Sequence, residues 1–179
     1  MYSLAEENYI KTIFHLQQTK SGAVSTNAIA DSMDTKASSA TDMVQKLADK
    51  KVLSYVKYKG AQLTEKGKKI ATRIVRKHRL WEVFLVDKLG FHWDEVHEIA
   101  EQLEHIHSTE LIKRLDTFLG SPAFDPHGDP IPDEHGNFIK TEKKLLSQLN
   151  KSQSGVCVGV KESSPCLLYT SPSPRDGLL

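Results

Sequence analysis

Cysteine is almost missing from this chain: Cys157 and Cys166 are the only two in 179 residues, and neither belongs to a Cys-x-x-Cys pair. That excludes a disulfide framework, argues against a structural zinc site built on thiolates, and turns any metal chemistry toward oxygen and nitrogen donors. No stretch approaches the roughly 18–20 uncharged apolar residues that span a bilayer. The opening MYSLAEENYIKT has no basic-then-apolar leader, so the expectation is a cytoplasmic protein with no membrane partner. A phosphate-binding glycine loop, a nucleophile elbow and a His-Glu-x-x-His pair are all missing, and the chain is read as not an enzyme.

What is present is divided by charge. Up to Leu89 the chain holds 16 Lys/Arg against 9 Asp/Glu; beyond it, 8 against 14. The basic excess is concentrated between Lys46 and Arg79, whereas His92 to His107 places four histidines among Asp94, Glu95, Glu98, Glu101 and Glu104. One part is suited to a polyanion and the other to cations.

The pattern of elements assigns these parts to a mainly α-helical protein. Ser3-Leu4-Ala5-Glu6 is a capping box, and Tyr9, Ile10, Ile13, Phe14 and Leu16 follow at helical spacing, predicting a helix over 4–18. Ser25 or Thr26 caps a short helix to Met33, and a further helix carries Ala40, Met43, Val44 and Leu47 inward, giving helix, turn, helix. Two short strands around Lys57-Tyr58-Lys59-Gly60 form a wing. Thr64 then caps a long helix to about Leu89, followed by helices over 93–107 and 109–119. The Pro-, Gly- and Asp-rich text from Gly120 to Asn137 is read as an ordered surface loop or linker. Leu145–Leu149 is weakly helical, and Gly155–Val160 alternates like a strand.

The helix-turn-helix points to DNA through Lys36, Ser38, Ser39, Thr41 and Asp42 at the start of its second helix. Small and hydroxylated residues there allow close approach to phosphates while one or two side chains reach base edges. A plain three-helix packing unit gives the same pattern, but Lys57 and Lys59 at the wing add the backbone contacts a winged helix makes. The acidic stretch supplies the second constellation. At helical spacing His97, Glu101, Glu104 and His105 share an arc of about 100°, beside the apolar Val96, Ile99, Ala100, Leu103 and Ile106. His78 borders the apolar stripe of the long helix, with Glu82 one turn on. Mixed carboxylate and imidazole ligation suits a divalent first-row ion; a solvated acidic face is the bland alternative. His92, His127 and His135 are read as solvated loop residues.

In this order, a winged helix, a long connecting helix and a Glu-x-x-Glu-His face resemble the iron- and manganese-dependent transcriptional repressors of the DtxR/MntR family. The resemblance rests on EENYIKTIFHL, DSMDTKASSATDMVQKLADKKVL, LTEKGKKIATRIVRKHRLWEVFL, VHEIAEQLEHI and GDPIPDEHGNF, and it covers residues 1 to about 165. It implies a metal-dependent DNA-binding repressor, a homodimer on a palindromic operator, that controls metal-ion homeostasis genes through Mn2+ or Fe2+. The alternative is a metal-independent winged-helix regulator whose second domain only dimerises or binds a small ligand. Carried over residue by residue, Glu101, Glu104 and His105 match primary-site ligands, with glutamate at 101 as in manganese-type members. His78 matches a family ligand throughout, while Glu82 and His97 match the ancillary site of the iron-type, three-domain members. Asn8 stands where family members carry Asp or Met, with Glu7 beside it, and Lys11 replaces a second carboxylate of the manganese type.

The implied organisation is a DNA-binding domain over 1–64, a helical metal-binding and dimerisation domain over 65–140, and a linker with the opening strand of a truncated SH3-like domain over 141–165. Cys166 to Asp176 reads as the translation of a sequencing-library adapter, so 166–179 is taken as a non-biological tail.

Overall fold

The computed structural model describes residues 2–19, 22–139 and 148–154. The Gly155–Val160 strand, most of the Leu145–Leu149 helix, nearly all of the SH3-like opening, both cysteines and the 166–179 tail lie outside the described residues. Among those described, no helix is long and apolar enough to cross a membrane. The chain forms two compact units, Met1–Val75 and Arg76–Leu179.

In the first unit, α1 (Leu4–Thr19) begins at the expected capping box. Ser3 Oγ accepts the Glu6 N–H at 3.3 Å, and Glu6 Oε2 accepts the Ser3 N–H at 3.0 Å. Ser25 caps α2 (Thr26–Ser32) by accepting the Ala28 N–H at 3.2 Å. After a tight turn at Asp34 comes α3 (Ala37–Asp49), the second helix of the helix-turn-helix. Ile10, Ile13, Ile29, Ala40, Val44 and Leu47 are completely buried between these helices, and each of the larger ones contributes about 1.5–3 kcal/mol by leaving water. Glu6 ties α1 to the far end of α3, its Oε1 lying 2.6 Å from Lys50 Nζ and 3.0 Å from Lys46 Nζ. The Lys50 hydrogen bond is the main reason its carboxyl is held down to about 2, against the opposing effect of burial.

The wing is an antiparallel hairpin of β1 (Leu53–Val56) and β2 (Gly60–Leu63), in register from Leu53↔Leu63 to Val56↔Gly60. Leu53, Ala61 and Leu63 turn into the core while Ser54 and Gln62 face out. A single bridge from Val24 to Ala61 extends the ribbon. Thr64 Oγ1 caps α4 (Glu65–Leu89) by accepting the Gly67 N–H at 3.2 Å. Helix α4 starts so close to the hairpin that a Cβ on Gly67 would lie 2.3 Å from the Val52 carbonyl oxygen, which explains a glycine inside a helix.

The division between units falls within α4. In the second unit, Leu80, Val83 and Leu85 pack with Val96, Ala100, Leu115 and Ile131, drawing in α5 (His97–Leu103) and α6 (Thr109–Phe118). The helix expected over 93–107 is shorter than its periodicity suggested. The His92 N–H donates to Glu95 Oε2 at 3.2 Å, the Glu95 N–H donates to the His92 carbonyl at 3.1 Å, and the His92 ring bonds Asp94. These bonds hold 92–95 in a turn, and α5 starts only after Val96, which has no side chain able to cap it. Glu104 and His105 therefore sit just past the helix end.

The segment after α6 is an ordered loop, and it is partly core rather than surface. Asp125 Oδ1 accepts the N–H groups of His127 and Asp129 at 2.8 and 2.9 Å; Asp133 Oδ1 does the same for His135 and Asn137 at 2.9 and 2.8 Å. The two turns, Asp-Pro-His-Gly-Asp and Asp-Glu-His-Gly-Asn, are copies of one Asx-type design. In the first, Asp125 is buried; in the second, Asp133, His135 and Asn137 are exposed. Arg79 Nε lies 3.3 Å from the buried Asp125, another Arg79 nitrogen donates to the Pro130 carbonyl, and Arg76 donates to the Pro132 carbonyl at 2.6 Å.

Candidate functional site

Glu82, completely buried on α4, is the centre of an imidazole cluster in the second unit. One turn earlier on the same helix, His78 Nε2 lies 3.0 Å from Glu82 Oε1. From α5, His97 Nδ1 lies 3.6 Å from that oxygen; from the docked loop, His127 Nε2 lies 3.3 Å from it. Burial by itself would raise the Glu82 carboxyl, but the hydrogen bonds from His127, His78 and His97 outweigh it and hold the group below the usual carboxylate range. One ligand atom each from His78, Glu82 and His97 falls within 4.8 Å of the others, close enough to share a metal ion.

His78 also joins this cluster to a second buried carboxylate. Its Nδ1 lies 2.6 Å from Glu104 Oε2, so each ring nitrogen faces a carboxylate. Glu104 in turn has His105 Nε2 at 3.8 Å from its other oxygen, while Glu101 Oε1 sits 3.4 Å from His97 Nε2. All six histidines and glutamates read from the second-unit sequence are thus brought together, but in unequal settings. Glu104 is buried, His105 half-buried, and Glu101 is 54% exposed at its side chain. A shared helical face would have made them equivalent; the end of α5 at Leu103 makes them different.

His127 is the residue that sequence reading missed. Instead of being solvated it is half-buried, with Trp93 edge-on at 5.5 Å between ring centres. Its ring is charged more readily than usual: burial opposes this, but the hydrogen bond to Glu82 and the nearby acids prevail. Asp125, two residues before it, is pushed up to about 6 by burial, with the Glu82 charge adding to the effect. The signal that could have found His127 is the doubled Asp-x-His-Gly-Asx text, which marks a built turn rather than a linker. His135, in the second copy, is 75% exposed at its side chain, and His92 is exposed too.

The donor set is oxygen and imidazole, with no thiolate among the described residues, and it gathers two buried carboxylates in one place. That chemistry fits a hard or borderline divalent ion of the manganese–iron range. Glu7 and Asn8 belong to the first unit, on α1, where Glu7 is buried and Asn8 half-buried.

The residues read from the sequence as suited to a polyanion lie in the first unit. Lys36, at the N-cap of α3, and Ser38, Ser39 and Asp42 are exposed on its first turns, with no side-chain cap on the helix N–H groups. The Thr41 hydroxyl donates to its own helix, to the Ala37 carbonyl at 2.8 Å, and is half-buried. Lys57 and Lys59 are exposed at the hairpin tip.

Comparison with known proteins divides the chain in the same sense. Residues 1–61 match the family described as iron dependent repressor, N-terminal DNA binding domain. Residues 64–133 match iron dependent repressor, metal binding and dimerisation domain. The HTH-type transcriptional regulator MntR of Oceanobacillus iheyensis is 41% identical over 109 residues, 61% of this chain and 73% of that protein. The iron-dependent repressor IdeR of Mycobacterium bovis is 35% identical over 127 residues, 70% of this chain. The chain spans about half, 54%, of that relative's length. Among solved structures, a manganese-dependent transcriptional repressor in complex with manganese superposes with a TM-score of 0.78 at 36% identity, covering 92% of this chain and 75% of that one.

Proposed function

Because the chain belongs to the iron-dependent repressor family, we propose that it is a homodimeric, metal-activated repressor that binds a palindromic operator in double-stranded DNA when Mn2+ or Fe2+ is bound. The observation that carries this reading is the set of three imidazoles around buried Glu82, joined through His78 to buried Glu104. On this reading residues 1–64 are the DNA-binding domain and 65–140 the metal-binding and dimerisation domain, and the protein works in the cytoplasm.

His78, Glu82 and His97, with His127 added from the docked loop, would hold one ion; Glu101, Glu104 and His105 are the proposed donors of the primary site. The ion would supply positive charge where two desolvated carboxylates now depend on imidazoles for it. The protein's own residues do the rest. His78 orients both carboxylates, the docked loop covers Glu82, and glutamate rather than cysteine at 101 keeps the donor set hard, favouring manganese. Lys36, Ser38, Ser39, Thr41 and Asp42 are proposed to meet the major groove, with Lys57 and Lys59 on flanking phosphates.

The test is fluorescence anisotropy with a labelled palindromic duplex, enriched from a random pool by the wild-type chain in manganese. Binding should tighten at least about tenfold on adding manganese or ferrous iron and weaken with salt. Equal binding in chelator and in metal would remove the switch; failure to enrich any duplex would remove operator recognition. The donors carried over by resemblance, Glu7 and Asn8, have their own test. Asn8→Ala should impair manganese-stimulated DNA binding more than binding of manganese itself, and no effect on either would remove Asn8 from the ligand set.

A further inference from the structure

The three imidazoles around Glu82 are not held alike. His78 has a carboxylate at each ring nitrogen, Glu82 at 3.0 Å and Glu104 at 2.6 Å, and His97 lies between Glu82 at 3.6 Å and Glu101 at 3.4 Å. A second partner of this kind is what fixes the orientation of a metal-ligating histidine. His127 has one carboxylate: among the described residues its ring pairs with Glu82, 3.3 Å from Nε2. The turn it stands in does not supply the other. Asp125 Oδ1 accepts the N–H groups of His127 and Asp129, which fixes the backbone without fixing the direction of the imidazole.

What stands against the His127 ring is Trp93, with 5.5 Å between ring centres and the two planes at 70°, the edge-on arrangement that aromatic pairs prefer. Trp93 is itself set in a built turn. Glu95 Oε2 accepts the His92 N–H, the His92 carbonyl accepts the Glu95 N–H, and the His92 ring bonds Asp94, so the indole projects from a fixed corner ahead of α5. Phe91, His92, Asp94 and Glu95 are exposed while Trp93 is half-buried, so the turn sends one side chain inward, and that side chain meets His127. We infer that Trp93 is a positioning residue for the metal cluster: its indole takes the place of the second carboxylate, keeping His127 Nε2 directed at Glu82 so that the loop contributes a donor. This rests on the metal-activated reading above, and within it on His127 as a donor.

The experiment is isothermal titration of full-length chains with manganese. The parent carries His105→Ala, which removes a donor of the proposed primary site, so that the heat reports the cluster around Glu82. Trp93→Ala and Trp93→Leu should each weaken binding about fivefold, within what one aromatic pair is worth, and Trp93→Phe, which keeps a ring at the position, should stay within about twofold of the parent. The leucine variant keeps the apolar bulk of the turn and carries the comparison if alanine loosens the fold. His127→Ala should weaken binding about tenfold, and adding either Trp93 substitution to it should weaken binding no further, because the indole then has no imidazole to hold. A merely structural role would give the same loss with and without His127. A loss that persists in the His127→Ala background, or a Trp93→Leu chain within about twofold of the parent, overturns the inference and leaves the metal reading standing. His127→Ala without effect overturns it as well, by removing His127 from the donors. No manganese uptake by the parent or by the wild-type chain overturns both.

Discussion

Glu82→Gln is expected to lower manganese affinity at the His78–Glu82–His97 site by about 100-fold, or about 2.7 kcal/mol, and to leave operator binding unstimulated at manganese levels that saturate the wild type. The substitution preserves shape and removes charge. In the wild type one buried carboxylate oxygen has His78, His97 and His127 within 3.0 to 3.6 Å. An amide offers a neutral, weaker ligand to an ion, and it lacks the negative charge that the three surrounding imidazoles face. Isothermal titration with manganese measures the first effect and anisotropy the second. A Glu82→Gln chain that titrated like wild type would place the ion away from this cluster.

The second large effect is structural. Arg79→Ala should destabilise the second unit by about 3–5 kcal/mol at neutral pH, because it leaves Asp125 buried without its cationic partner. Arg79 side-chain exposure is 12% and that of Asp125 is 3%, so neither is rescued by solvent. The carbonyl of Pro130 loses its donor as well. The pH dependence has a defined sign. Asp125 already has its folded value raised to about 6, above the ordinary 3.8. The cost of keeping it ionised is therefore complete above that folded value and disappears as pH falls toward 3.8. Removing Arg79 raises the folded value further, so the variant should lose most stability at neutral pH and recover part of it on acidification. Asp125→Asn in the Arg79→Ala background should restore part of the loss. Thermal melts across pH measure all three, and an Arg79→Ala protein as stable as wild type would show that the loop docks by other means.

The local signals were legible in the sequence. Ser3 with Glu6, Ser25 before α2, Thr64 before α4 and the alternation through Leu53 and Leu63 each depend on residues a few positions apart, and each takes the form its spacing predicts. The candidate site was legible as a set of residues but not as an arrangement. Periodicity carried the helix through 93–107, whereas the Glu95 carboxylate accepts the His92 N–H and the His92 ring pairs with Asp94, holding 92–95 in a turn that stops it. As a result Glu104 is buried against His78 while Glu101 stays largely in solvent. The doubled Asp-x-His-Gly-Asx text marks a built turn at His127 but not where that turn docks, since Arg79, far earlier in the chain, holds it against α4. The polar character of that loop suggested solvent; the ion pair with Arg79 brings it into the core.

The central claim is that an ion at the Glu82–Glu104 cluster and DNA at the winged helix share one equilibrium. Coupling of this kind is reciprocal: if manganese tightens operator binding by a given factor, the operator must tighten manganese binding by the same factor. The direct measurement is the manganese dissociation constant of the full chain with and without saturating palindromic duplex, set beside the duplex dissociation constant with and without manganese. The account predicts two equal ratios, each at least about tenfold. Manganese that binds with the same affinity whether or not the operator is present would contradict it, however tightly either ligand binds.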